Sequence, residues 1–432
     1  MDHSVKVSVV LAVYNVENYL EQCLDSIVNQ TLREIEIICI NDGSTDNSLS
    51  VLRKYQERDT RIIVYSQSNS GIGKTREFGL SHARGEYLVF WDSDDYFDLS
   101  TLEKLYIKAV SNNADICICG KKVIQEAFGK TICNSIVPNK KMYPKKMPFN
   151  RITNPDGILN IVNNDVWNKL YRREFIERID LHFLTSIQHG DAYFSVIALC
   201  AAERIVVIPE SLVYYRRLRL GSVTGKNKIS VEICLDCLEI MAGELRRRDI
   251  YPERSFLNYA LDMILWVILR CKWSDYLRLY DRLKRLVLPG LQMTNHEAGY
   301  YYSTWREELL HHIFNEDAEE FLLSFVKTLD VLLQDSRNQK QKQNTANKEK
   351  TDQIIAEYER TLKDRNAEIT ELKNTLEGRK AEIAVLKNKI AVLKSKNIKL
   401  QELRNSWSYR IGRCVTWFPR KARSVIFKSK KR

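Results

Sequence analysis

Tyr87-Leu88-Val89-Phe90-Trp91 runs directly into Asp92-Ser93-Asp94-Asp95. Five consecutive β-favouring apolar residues read as a strand buried on both faces, so the acids fall where its carboxyl end leaves the sheet. Three carboxylates in four positions repel one another, and a turn of that kind is useful where something positive arrives. A hard divalent cation with oxygen ligands, itself holding a phosphate group, meets the need. A solvated turn that caps a helix from near Ser100 is the plainer alternative, because Asp and Ser are favoured turn and cap residues.

Outward from that strand, the first 120 residues alternate short β-rich runs with helical patterns. The runs are Val5–Val13, Ile35–Ile40, Ile62–Tyr65, Tyr87–Trp91 and Ile116–Cys119; the helices between them are Val16–Asn29, Asp46–Arg58, Ile72–Ala83 and Thr101–Asn112. Such alternation predicts βαβ units, a mostly parallel Rossmann-like sheet flanked by helices, and ligands at the carboxyl rim. Tyr14-Asn15, Asn41-Asp42-Gly43-Ser44 and Asp92–Asp95 are thereby gathered on one edge. Residues 120–230 read as irregular, and helical patterns return from Val231 to Leu333.

The chain's 432 residues and 44% hydrophobic content allow two or three domains with a sizeable core. No signal peptide or spanning segment is read, and ten cysteines without a secretion signal suggest reduced thiols in the cytosol. Cys234-x-x-Cys237 and Cys117-x-Cys119 lack a second ligand pair, so a buried helix face and a strand are preferred to zinc. The net charge of +12 is unevenly placed: 26 Lys/Arg face 10 Asp/Glu after residue 335, leaving 41 against 45 before it.

Ser336–Thr351 is polar and of low complexity, which reads as a linker. Beyond it Ile355, Leu362, Ile369, Leu376, Ile383, Ile390 and Asn397 recur every seven residues, with Tyr358, Leu372, Leu386, Leu393 and Leu400 three places later. Over 352–403 this predicts a parallel two-stranded coiled coil and a homodimer, although Arg365 and Arg379 interrupt the seam. A single solvated helix is the alternative. Residues 404–432 interleave aromatics and aliphatics with arginines and carry no acid, which suits an anionic membrane surface. No recognisable nucleic-acid fold accompanies this tail, so RNA is placed below lipid.

Gly71-Ile72-Gly73-Lys74-Thr75 imitates two phosphate motifs and satisfies neither, since Ser68 and Arg76 stand where glycines are required. Four segments, in order, resemble the family 2 glycosyltransferases of the GT-A fold: Val7–Asn15, Ile40–Asp46, Ser70–Arg76, and Gly85-Glu86-Tyr87 running into Asp92–Asp95. The likeness covers about 4–120 closely and reaches loosely to about Gly225. It implies a catalytic domain over 1–228, with a nucleotide half at 1–120 and an acceptor half at 121–228. A helical domain at 229–335 then precedes the linker.

Members of that family move a sugar from a nucleotide diphosphate sugar to a hydroxyl, with inversion and a divalent metal. The resemblance implies Asp94 as metal ligand with Asp92 beside it, and Mn2+ or Mg2+ as the ion. It places Tyr14 on the base face, Asp42 on the base edge, Arg76 on the nucleotide, and Asn15, Asn41 and Ser93 in the same donor site. Asn41 departs from the usual Asp. His189-Gly190-Asp191-Ala192-Tyr193-Phe194 makes Asp191 the candidate base, or else the cap of a helix over Asp191–Ala202. Trp167 and Lys169 fall in a segment that lines the acceptor side, and Arg216 and Ser222 in segments that close on the diphosphate. The reading is a transferase, with a UDP-sugar favoured as donor, that elongates a surface polysaccharide or lipid-linked glycan from the inner face of the cell membrane. A sugar nucleotidyltransferase and a non-catalytic coiled-coil scaffold are the alternatives.

Overall fold

The computed structural model describes residues 5–325 apart from 128–129, 186–189, 218–230, 272, 294–295 and 298, together with 327–328, 331 and 334. The expected linker, coiled coil and basic tail, with the dimer and membrane contact assigned to them, lie outside the described residues. Ser222 and His189 do too. The chain divides into two units, Met1–Ala318 and Glu319–Arg432. In the second, Phe321 and Phe325 stack at 5.7 Å within a helical stretch.

The first unit begins as the alternation predicts: β1 (Val7–Val13), α1 (Glu17–Val28), β2 (Ile35–Asp42), α2 (Ser48–Gln56), β3 (Ile62–Gln67), α3 (Ile72–His82), β4 (Tyr87–Asp92). A two-residue strand β5 (Tyr96–Phe97) follows, then α4 (Thr101–Ser111) and β6 (Ile116–Ala127). Tyr87 to Trp91 are all buried, as a strand covered on both faces requires. Apolar residues at helical spacing turn the helices onto the sheet; in α1 these are Leu20, Cys23, Leu24 and Ile27.

Residues 120–230 are more regular than expected. They supply β7 (Lys130–Ile136), β8 (Lys169–Arg172), α5 (Arg173–Arg178), α6 (Gly190–Ala201) and β9 (Ile205–Arg217). The sheet order is β3-β2-β1-β4-β8-β6-β9-β5, with β7 on β6. β3, β2, β1 and β4 are parallel, as are β6 and β9. β8 is antiparallel to both β4 and β6, and β5 and β7 are antiparallel to their partners. The sheet is therefore mixed rather than mostly parallel, because short reverse-running strands join two parallel groups.

Helices α7 (Val231–Arg247), α8 (Glu253–Arg270) and α9 (Trp273–Arg282) lie in the same compact unit, with α7 packed on α6 and α8 on α7. Cys234 and Cys237 sit on the buried face of α7 with Leu238 and Met241, and burial pushes both thiols up to about 12. At the start of α8, Ser255 Oγ accepts from Leu159 N at 3.0 Å and donates to Asn160 Oδ1 at 2.9 Å. This seats the helix on the loop that leads to Trp167.

Gly79 brings α3 against the sheet, since a β-carbon there would be driven into Val10 Cγ1 and would meet Ile40 Cδ1 at 3.0 Å. Overpacking a filled core costs about 1–3 kcal/mol. Gly79→Val should lower stability by that amount in a urea titration, with little change in the slope.

Candidate active site

Strand register assembles the rim. Asp92 pairs with Ala12, and Asn41 pairs with Val13, so Tyr14, the Asn41–Ser44 turn and the acidic turn leave the sheet side by side. Ligands of open α/β sheets bind at such an edge.

On the donor side Tyr14 is 48% exposed, leaving a ring face open for a base to stack on. It is presented by Asn15, whose backbone is left-handed at φ 50°. Asn15 Oδ1 accepts from Thr45 N at 2.8 Å, and Asn15 N donates to Ser44 Oγ at 3.1 Å. Asn15 thus joins two rim loops. Asn41 is buried; its Nδ2 donates to Ser66 Oγ at 2.9 Å and its Oδ1 accepts from Ser44 N at 3.3 Å.

Asp42 is more heavily engaged than a base-edge role implies. Oδ1 accepts from Gln67 Nε2, Ser70 N and Ser70 Oγ at 2.8–3.1 Å, and Oδ2 from Gly71 N at 3.0 Å. Burial raises its pKa, but these donors outweigh it and hold the carboxyl below its usual range. Its position therefore fixes the approach to α3.

The acidic turn is pinned to its neighbours. Ser93 Oγ donates to Ala12 O at 2.8 Å, which makes Ser93 a brace to β1. Arg76, buried in α3, donates from Nη2 to Asp92 Oδ1 at 2.5 Å and lies 5.9 Å over the Phe183 ring. Burial drives Asp92 up to about 6 against the pull of Arg76, and Asp94 and Asp191 add to the rise. Asp95 does not cap α4: it is 1% exposed, its Oδ1 accepts from Arg216 N at 2.8 Å, and its Oδ2 is buried with no hydrogen-bond partner. Asp98 takes the turn role instead, accepting from Ser100 N and Ser100 Oγ. Carboxylate oxygens of Asp92, Asp94 and Asp95 lie within 4.8 Å of one another. This donor set, with one buried oxygen lacking a partner, fits a hard divalent cation.

Asp191 occupies the first turn of α6, a helix held by an aromatic cluster. Phe194 stacks on Phe183 at 4.2 Å and meets Phe90 of β4 and Tyr171 of β8 edge-on at 5.3 and 5.5 Å. Phe90 lies two residues before Asp92 and Phe194 three after Asp191, so one cluster locates both acids. The Asp191 charge is felt at Asp92.

Trp167 is buried and stacks on Tyr215 at 5.4 Å. Lys121 Nζ lies 4.8 Å over Trp167 and 5.3 Å over Tyr215, and pairs with Asp165 at 2.7 Å. Lys169, expected on the acceptor side, is fully buried. Its ammonium donates to Asn163 O, Asp165 O and Asn168 Oδ1, so it organises the loop that precedes β8. Burial pulls its pKa down to about 7, with Asp165 acting the other way. Arg216, expected on the diphosphate, donates to Asp94 O and Gln22 Oε1. Gln22, Lys121 and the part played by Asp95 were missed from sequence; the acid's place in the same motif was the one available signal.

A family model described as glycosyl transferase family 2 matches residues 8–180, and the putative glycosyltransferase EpsH of Bacillus subtilis is 34% identical over 65% of this chain and 81% of its own length. The chain belongs to glycosyl transferase family 2. The glycosyltransferase GlyA of Streptococcus pneumoniae is 34% identical over 51% of this chain, a match that spans only 31% of GlyA. The structure of Staphylococcus aureus TarS 1–349 in complex with UDP-GlcNAc superposes with a TM-score of 0.59 over 73% of this chain and 89% of that one. At 22% identity this is a likeness of fold.

Calorimetric titration with Mn2+ should show a single site, lost in Asp94→Ala and weakened about 10-fold or more in Asp95→Asn, since ligand charge count sets affinity. Unchanged binding in Asp95→Asn would remove that residue from the site.

Proposed function

We propose that the protein is an inverting, metal-dependent glycosyltransferase that takes a sugar from a nucleotide diphosphate sugar, with UDP as the favoured nucleotide. The observation that supports this best is the aromatic cluster of Phe90, Phe183 and Phe194, which ties the helix of the candidate base Asp191 to the strand that ends in the three clustered carboxylates. TarS, whose fold this chain shares, was solved with UDP-GlcNAc.

In this reading Tyr14 stacks on the base, and Asp42 and Asn15 hold the loops that frame it. Arg76 keeps Asp92 ionised and in place. Asp92, Asp94 and Asp95 would hold Mn2+ or Mg2+, which when bound stabilises the charge that develops on the departing diphosphate. Asp191 accepts the proton of the acceptor hydroxyl while that oxygen bonds to the anomeric carbon and the bond to the diphosphate oxygen breaks. One base on the side opposite the leaving group gives inversion. Trp167, backed by Tyr215 and Lys121, lies on the acceptor side of the same rim.

The acceptor is proposed to be a hydroxyl of a growing surface polysaccharide or lipid-linked glycan, reached from the cytoplasmic face of the membrane. The basic, apolar-interleaved 404–432 supports membrane attachment, and the heptads of 352–403 support a dimer that doubles it.

General-base catalysis is worth roughly 10²–10⁴-fold. Asp191→Asn should therefore lose at least that much transfer activity while retaining UDP and Mn2+ affinity; transfer at the wild-type rate would refute the assignment. Removing 404–432 should release the protein from anionic liposomes and leave Mn2+-dependent donor hydrolysis intact. Continued sedimentation with liposomes would show that the tail is not the anchor.

A further inference from the structure

We propose that Gln22 and Arg216 are positioning residues that shape the acidic turn for its cation, rather than contacts of the donor diphosphate. The inference rests on the metal-dependent reading above.

The register of β5 on β9 carries the argument. Tyr96 pairs with Tyr214 and Phe97 with Val213, antiparallel, so extending the pairing by two residues brings Arg216 alongside Asp94. The stack of Tyr96 on Tyr214, at 4.5 Å and 12°, holds that register, and Trp91 stacked on Phe97 at 3.6 Å and 9° ties β5 back to the end of β4. From this position the Arg216 main-chain amide binds one oxygen of Asp95 at 2.8 Å. Its guanidinium donates from Nη1 to Asp94 O and from Nη2 to Gln22 Oε1, and lies 5.3 Å over Tyr19 and 4.8 Å over Tyr96. Both terminal nitrogens are thus directed at the turn's backbone and at α1. The second Asp95 oxygen is left buried and without a hydrogen-bond partner, in a cluster where the three carboxylates approach within 4.8 Å.

Charge and geometry predict opposite outcomes here. An arginine this close to a divalent ion repels it, so if charge dominated, losing Arg216 would tighten metal binding. If the fork sets the spacing of the ligands, losing it weakens binding. Arg216→Lys separates the two, because lysine keeps the charge and lacks the planar two-armed geometry. Gln22→Ala removes the α1 anchor from an exposed site that touches neither cation nor donor.

The test titrates Mn2+, and separately UDP in the presence of EDTA, into the full-length wild type, Arg216→Lys and Gln22→Ala, with thermal midpoints measured alongside. Residues that orient metal ligands are worth about 10–100-fold in metal affinity, and a loss of that size is expected in both variants. Metal-free UDP affinity and thermal midpoints should match wild type. Unchanged Mn2+ affinity in both variants overturns the proposal. So does a loss of metal-free UDP binding in Arg216→Lys alone, which would make Arg216 a diphosphate contact. A wild type that takes up no Mn2+ overturns the metal reading itself and the positioning role with it.

Discussion

Three carboxylates held within 4.8 Å of one another at the end of a buried strand repel strongly, and much of the surrounding structure serves to contain that repulsion. Two guanidiniums that bind the turn come from elements remote in sequence, Arg76 from α3 and Arg216 from β9. Each has its own support: Arg76 is buried beside Phe183, and Arg216 lies between two tyrosine rings. Without these partners the turn would protonate or open, since an unpaired buried charge is costly. The β9 strand therefore stabilises the acids electrostatically as well as extending the sheet.

The parallel half of the sheet was legible because its strands are continuous apolar runs and its helices keep a clear period, as in Val7–Val13 followed by Glu17–Val28. The second half was not. β5 has two residues and β8 four, too few for any period to register. β9 is long, but Pro209-Glu210 interrupts its pattern where the pairing with β6 shifts around Gly120. At the site, the motif acids and the exposed Tyr14 could be read directly, whereas the duties of Ser93, Asp42 and Lys169 could not. Ser93 acts on Ala12, Asp42 on Ser70, and Lys169 on its own loop, and only the folded chain shows which atoms meet.

Asn41 illustrates how a departure from a family pattern acquires a physical reason. Its side chain gives a proton to Ser66 and accepts one from Ser44 N, a pair of tasks suited to an amide. An ionised carboxylate would only accept. The residue thereby links the ends of β2 and β3 without adding another negative charge to a rim that already carries several.

The seating of α7 on α6 and of α8 on the loop before Trp167 has a mechanical corollary. The helix that bears Asp191 and the loop that leads to Trp167 are both backed by this helical layer, which lies beyond the end of the family match at residue 180. A substitution in α7 or α8 can therefore displace α6, or the loop that leads to Trp167, while β1, β2 and β4 keep their register.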